Sequence, residues 1–273
     1  MRTFALALGA GGARGLAHIA IVEALDEMGV KPVAIAGSSI GAVIGAGYAA
    51  GLTGRAMRRH VLDLAHNPGE VWRRLSGARA VPWSQLLGAG FGNPLAVDAG
   101  KFYDAFLGDM LPADFSDLKL PFIAIATDLH ARQGVVFTSG PLRPAVAAAM
   151  AVPGLVRPLE HDGKALVDGG AVDPLPFGWL RGKADVIVAI DVSSGAEEAG
   201  SALDPWSSLM ATISVMGHTI VQHKLKEGAP DLVLRPNIGI FRMLDFFQAS
   251  AILRAADAIK AEVKERLGAL LNA

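Results

Sequence analysis

Apolar positions along the chain follow two rhythms. Short continuous apolar runs occupy 3–8, 33–36, 121–128 and 186–190. Runs of that length without alternation predict strands buried on both faces. Between the first two, Leu16, Ile19, Val22 and Leu25 recur every third position and predict a helix over 16–28. Gly29 follows it, where a left-handed C-terminal cap belongs. Small and apolar residues over 42–50 predict a second helix. Residues 3–50 therefore read strand, helix, strand, helix, the opening of a parallel layered fold. Farther on, 135–137 is expected to pair with 121–128, and an alanine-rich helix over 142–151 stops at Pro153-Gly154. Residues 165–167 lead as a strand into Asp168-Gly169-Gly170. A long helix over 206–226 and a short strand over 232–234 follow. A final amphipathic helix over 245–271 carries Ile252, Ala256, Ile259, Val263 and Leu267 on one face. With no internal repeat and no low-complexity linker, the expectation is one domain over 1–273. Its fold class is α/β, a three-layer α/β/α sandwich around a mostly parallel sheet.

The stretch 51–120 is less regular. Arginines are scattered among Trp72, Trp83, Leu86, Leu87 and Phe91, and Gly and Pro punctuate its second half. Residues 65–98 read either as a cap over a site or as an ordinary surface excursion. The aromatic residues there either contact acyl chains or simply pack. A helix is expected again over 99–111.

Composition narrows the function classes. The 273 residues are 52% hydrophobic and 19% charged, with a formal net charge of −1. That balance suits buried strands and an apolar pocket or membrane-facing patch, and its lack of basic excess sets nucleic acid aside as a partner. There is no cysteine, which excludes disulfides, thiol catalysis and thiolate metal sites. No stretch reaches the roughly 18 uninterrupted apolar residues a spanning helix needs. The apolar N-terminus runs straight into a glycine-rich turn and is read as a first strand, not a signal peptide, of a cytoplasmic protein.

The chemistry starts at Gly37-Ser38-Ser39-Ile40-Gly41. Strand, sharp turn and helix form the setting in which G-x-S-x-G exposes a serine hydroxyl at the top of an α/β sheet. Ser39 is thus a candidate acyl-transfer nucleophile, or more plainly a helix N-cap. The turn Gly9-Ala10-Gly11-Gly12-Ala13-Arg14-Gly15 has two possible uses. Such turns dock dinucleotide pyrophosphates, but no acidic residue ends the second strand to take a ribose hydroxyl. The same turn can aim the N–H groups of Gly11, Gly12 and Ala13 at an oxyanion above Ser39. The base is harder to find. Of the histidines after Ser39, none sits in a convincing late strand-end loop, so an ordinary triad is poorly supported. Asp168, at a strand end before two glycines, is the other candidate, provided that burial raises its basicity. Its plain alternative is an Asp-Gly turn.

Taken in order, Gly11-Gly12-Ala13-Arg14-Gly15, Gly37-Ser38-Ser39-Ile40-Gly41 and Asp168-Gly169-Gly170 resemble the patatin-like phospholipase family, bacterial members especially. Gly15-Leu16-Ala17-His18-Ile19, Val152-Pro153-Gly154 and Pro174-Leu175-Pro176 extend the likeness over most of 3–195. The resemblance implies a Ser39–Asp168 dyad without histidine and an oxyanion hole in the glycine turn. It also implies an Arg14 that orients the turn or meets a lipid phosphate. Arg14 as an exposed helix-start residue is the bland alternative. The implied substrates are phospholipids, lysophospholipids or other acyl esters, with no metal and no organic cofactor. Three positions depart from the family pattern: Ala10 stands where its first oxyanion glycine falls, Ala149 where a serine is usual, and Asp173 where an asparagine is frequent.

Two other readings stay open: a lipid-binding or regulatory protein on the same scaffold with little turnover, and, ranked last, a nucleotide-binding oxidoreductase. The mixed charge on the polar face of 245–271 suits core closure or a homodimer interface better than membrane binding. Transient membrane-surface contact, as a peripheral protein, is a further expectation.

Overall fold

The apolar runs assemble into an eight-stranded mixed sheet. The structure is a computed structural model and describes residues 2–67, 69, 97–193 and 204–273. Strands β1 (Phe4–Leu8), β2 (Ala34–Ser38), β3 (Phe122–Asp128), β7 (Val186–Ile190) and β8 (Leu232–Leu234) run parallel in the order β3-β2-β1-β7-β8. Beyond β3 the sheet turns antiparallel. There β4 (Gln133–Phe137) and β6 (Lys164–Asp168) pair with β3, and β5 (Leu159–His161) pairs with β6. Helices cover both faces. They are α1 (His18–Met28), α2 (Ile40–Ala50), α3 (Gly54–His66), α4 (Ala99–Phe106), α5 (Leu142–Ala149), α6 (Pro205–Gly228), α7 (Ala249–Ala256), α8 (Ile259–Glu262) and α9 (Gly268–Asn272). The expected three-layer α/β/α arrangement is what the chain adopts.

The two covering layers are unequal, and the strands show it residue by residue. Phe4, Leu6 and Leu8 of β1 face a thick layer that includes α1, α2, α5 and the C-terminal helices. Ala5 and Ala7, pointing the other way with Ala34, Ala36 and Ala189, meet a thin layer of Leu175, Phe177, Leu180 and Val221. Alternate side chains of a strand point to opposite faces, so the small residues mark the side where covering chain comes close. Tying the thick layer together, buried Glu23 of α1 pairs with Arg58 of α3 and with Lys260 of α8. Burial alone would raise the Glu23 carboxyl; the two cations outweigh that and leave it below the usual carboxylate range.

Several helix boundaries differ from expectation. The helix read over 99–111 ends at Phe106, with a separate 3₁₀ turn at Gly108–Met110. The helix read as starting at Leu16 is a 3₁₀ segment, Gly12–Ala17, followed by α1 from His18. The helix expected over 245–271 is broken near 257–258 and contains a π turn at Val263–Leu267. All five of its predicted apolar residues are buried. Ile259, Val263, Leu267 and Leu271 recur every fourth residue, a spacing that drifts about 40° per step on an ordinary helix. The wider π turn lets consecutive members stay on the core side. Most of 65–98, including Trp72, Trp83 and Phe91, lies outside the described residues. Among the described residues, no helix is long and apolar enough to cross a membrane.

The packing of α2 on β1 leaves no room for a side chain at its second residue. A Cβ on Gly41 would lie 2.1 Å from the Leu8 carbonyl oxygen, on backbone that has no spare rotamer. Gly41→Ala should therefore destabilise the protein by about 3 kcal/mol, read as a lower urea midpoint with an unchanged slope.

Candidate active site

Strand register creates the site. Along one edge of β3, Phe122, Ile123, Ala124 and Ile125 pair with β2 as far as Ser38. The next residue, Ala126, pairs with Asp168, the last residue of β6. The opposite edge of β3 is taken by β4 over Ala124 to Asp128. Thus β2 and β6 lie end to end on a shared edge, running toward each other, and both stop where they meet. Ser39 and Asp168 are the residues at that junction.

Both turns out of the sheet are conformationally demanding. Ser39 has φ 56° and ψ −130°, one of the few non-glycine residues with positive φ among the described residues. Strain of this type costs on the order of 1–3 kcal/mol and persists only where surroundings enforce it. A Cβ on Gly37 would fall 2.4 Å from the Gly41 carbonyl oxygen, so the turn closes only around glycine. On the other side, a Cβ on Gly169 would lie 2.2 Å from the Ile125 carbonyl oxygen. The Ser39 side chain makes no capping bond to α2. Its hydroxyl instead donates to Asp168 Oδ2 at 2.6 Å, across 129 residues of sequence.

Among the described residues, no cation pairs with the Asp168 carboxylate. It is 7% exposed, beside a Ser39 that is 6% exposed. Burial pushes its pKa up to about 6, against the lowering effect of the bonds from Ser39 and from the Gly170 N–H, the latter donating to Oδ1 at 2.7 Å. The strand end is pinned by the Asp168 N–H donating to Ala151 O and the Thr127 hydroxyl donating to Asp168 O. Among the described residues no histidine bonds to either member of the pair.

The glycine turn passes beside them. Gly9 N–H donates to Ile190 O and Ala10 N–H to Pro174 O. Ala10 is absent from the positive-φ residues, so its methyl group is accommodated where a glycine is usual. His18, fully buried, bonds through Nε2 to Gly9 O. Burial drops its pKa to about 4, so it is neutral and Nε2 carries the proton that it donates. Gly12 has φ 57°, and a Cβ there would strike Met243 O at 2.2 Å. The N–H groups of Gly11 and Gly12 make no bond to any described residue. That of Ala13, expected with them as an oxyanion donor, donates instead to Met243 O at 2.7 Å. Arg14 is buried, not an exposed helix start; it donates to Ser214 Oγ of α6 at 2.7 Å and, at 3.5 Å, to Gly11 O.

Sequence reasoning missed several of these neighbours. The carbonyl of Met243 belongs to a loop whose Leu244-Asp245-Phe246 faintly resembles the family, but nothing in its sequence announces the bond to Ala13. Behind the turn, Asp191 accepts from Ser193 and Arg235, and Ser193 Oγ lies 3.2 Å from His218 Nδ1. The departure at Asp173 has its own partners, Lys224 and the Trp179 indole N–H. The N–H of Ile40, directly after the serine, is an orphan donor at the start of α2; the G-x-S-x-G pattern contains enough to find it.

Comparison with known proteins places this geometry in a lineage. The solved structure of VipD from Legionella pneumophila matches the fold with a TM-score of 0.52 at 13% identity, covering 97% of this chain and 67% of that one. An uncharacterised NTE family protein of Mycobacterium tuberculosis is 41% identical over 201 residues, 73% of this chain and 51% of the relative. The rat patatin-like phospholipase domain-containing protein 7 is 32% identical over 268 residues, 89% of this chain and 19% of its own length. A lysophospholipase, nte1, of Aspergillus fumigatus is 33% identical over 194 residues, 71% of this chain and 12% of its own. This chain thus spans about half the length, or less, of these curated relatives. The sequence pattern described as patatin-like phospholipase matches residues 6–180, well over half of the chain, and the chain belongs to that family.

Proposed function

We propose that this protein is a serine acyl hydrolase that cleaves carboxylic esters of phospholipids or lysophospholipids. The observation that carries the reading is the short bond from Ser39 Oγ to Asp168 Oδ2 between two buried strand ends. Names of the relatives, lysophospholipase among them, support the substrate class.

Ser39 Oγ attacks the ester carbonyl while its proton passes to Asp168. The carbonyl oxygen becomes an oxyanion, held by the N–H groups of Gly11 and Gly12 with that of Ile40. Asp168 returns the proton to the departing alcohol, leaving an acyl-serine. Water then attacks the acyl-serine, giving its proton to Asp168, and the fatty acid leaves as Ser39 recovers its hydrogen. An unperturbed carboxylate is a weak base for a hydroxyl; burial of Asp168 narrows that gap. Arg14, bonded to Gly11 O and Ser214, serves to orient the oxyanion turn. The Ala13 N–H, held by Met243 O, joins the oxyanion hole only if that carbonyl moves. That engaged donor favours a second reading, a lipid-binding protein of low turnover. Failure of a fluorophosphonate probe to label Ser39 in the folded protein would decide for it.

Ser39→Ala should lower hydrolysis across a lipid panel by at least about 10³-fold with no change in melting temperature beyond a few degrees. Retained activity there rules out the dyad. The pH profile of kcat/KM should rise along an acidic limb with its midpoint near 6, because Asp168 accepts the proton only when ionised. Asp168→Asn should abolish turnover yet stabilise the protein at pH 8. The folded-state pKa is raised above its unfolded value, so the native state loses stability as pH climbs through about 6. A neutral amide removes that penalty, about 1–3 kcal/mol, read by denaturant unfolding at pH 8 against pH 4.5.

A further inference from the structure

Six of the nine large apolar side chains exposed among the described residues lie on two segments. Leu209, Val215 and Met216 are on α6; Ile240, Phe246 and Phe247 are on the loop over 236–248 that precedes α7. Val215 is 65% exposed, Ile240 82% and Phe247 79%, values that a water-facing surface usually gives to charged residues. Yet the first part of α6, residues 205–220, contains no Asp, Glu, Lys or Arg, and 236–248 contains one Arg and one Asp.

The two segments are attached to adjacent residues of the oxyanion turn. Met243, in the middle of the loop, accepts from the Ala13 N–H. Ser214 of α6 accepts from Arg14. The inner side of α6 carries Trp206 against Gly154, buried Met210, Ser214 on Arg14, His218 beside Ser193, and buried Val221. These recur at helical spacing and face the site. Leu209, Thr212, Val215, Met216 and Thr219 face away and are all exposed. Over 205–220 this helix therefore has a site-facing side that mixes apolar residues with Ser214 and His218, and an uncharged, largely apolar outer side.

We propose that the outer side of α6 and the loop over 236–248 together seat this protein on a neutral lipid surface, beside the site that draws its substrate from that surface. This rests on the acyl-hydrolase reading for its purpose. The occupant follows from the charge pattern and the position. A surface with so little charge cannot gain from counter-charges on a protein or on anionic lipid, whereas inserted Phe, Ile and Met gain from hydrocarbon alone. Because both segments bond to the glycine turn, a lipid surface held there lies beside the site.

The test uses the full chain carrying Ser39→Ala, so that lipid is not consumed, and vesicles of zwitterionic phosphatidylcholine. The protein should co-sediment with the vesicles, no less at about 1 M salt than at about 0.1 M. Adding Met216→Asp and Phe247→Asp should lower the partition coefficient about 100-fold, about tenfold for each side chain. With Ser39 restored, the same double variant should hydrolyse a soluble short-chain ester at the parental rate and vesicle lipid at least about tenfold more slowly. Partition unchanged by the substitutions overturns the proposal, as does partition abolished by salt. So does light scattering that shows the double variant breaking a dimer without any vesicle binding, which would give the patch to a second copy. If no ester is cleaved but vesicle partition still depends on Met216 and Phe247, the lipid surface stands and the hydrolase reading falls.

Discussion

A strand edge offers one row of backbone donors and acceptors, and β3 divides one of its rows between two partners. β2 takes it from Phe122 to Ile125 and β6 from Ala126 to Asp128. Each partner excludes the other from its part of the edge, so both chains must leave the sheet at one point. Ser39 and Asp168 are the residues at the two exits. Their 2.6 Å bond therefore rests on hydrogen-bond register rather than on flexible side chains reaching across a gap. The glycines around them follow from the same crowding, since Gly37, Gly41 and Gly169 each stand where a Cβ would strike backbone.

The junction also sets the electrostatics. Strand ends at the middle of a layered sheet are dry, and dryness raises the Asp168 carboxyl to about 6. A cation nearby would undo this by holding the carboxylate ionised and less basic. The fold instead gives Asp168 two hydrogen bonds, from Ser39 and Gly170, enough to orient it without neutralising its effect. Neutral His18 extends the pattern, anchoring the glycine turn through Gly9 O without bringing in charge. The raised Asp168 carboxyl and the strained backbone of Ser39 are two consequences of one buried meeting point.

The unequal layers decide what surrounds that point. On the thick side, α1, α2 and the C-terminal helices lock the sheet through large side chains and the Glu23 ion pairs. On the thin side, alanines admit a close covering chain, and the nearby α6 buries few residues of its own. Polar contacts to Arg14 and Ser193 then connect α6 to the site, while its opposite side over 205–220 is uncharged and, among the described residues, exposed. The asymmetry puts the large packed side chains on one face of the sheet and the alanines with their thin cover on the other.

Much of this was legible in the chain itself. Apolar runs located the parallel strands, and Leu16, Ile19, Val22 and Leu25 located α1 within its 3₁₀ entry, because burial stamps a period on sequence. Ile259, Val263 and Leu267 marked a buried stripe but not the π turn that keeps it facing the core, since one continuous helix carries almost the same pattern. The glycines at 37, 41 and 169 and the serine between the first two announced a crowded turn, because local sterics are a local property. What the sequence could not supply was the neighbour across space. The sequence offered Asp168 as a partner for Ser39 through its motif and the resemblance, but the Met243 carbonyl on Ala13, the burial of Arg14 beneath Ser214, and the uncharged outer side of α6 all depend on which edges and faces pack together. Sequence by itself determined the elements, the small residues and the kinds of chemistry available, because these follow from periodicity and side-chain type. Only the tertiary structure decided which groups meet, because register between strands more than a hundred residues apart is settled by the assembled sheet.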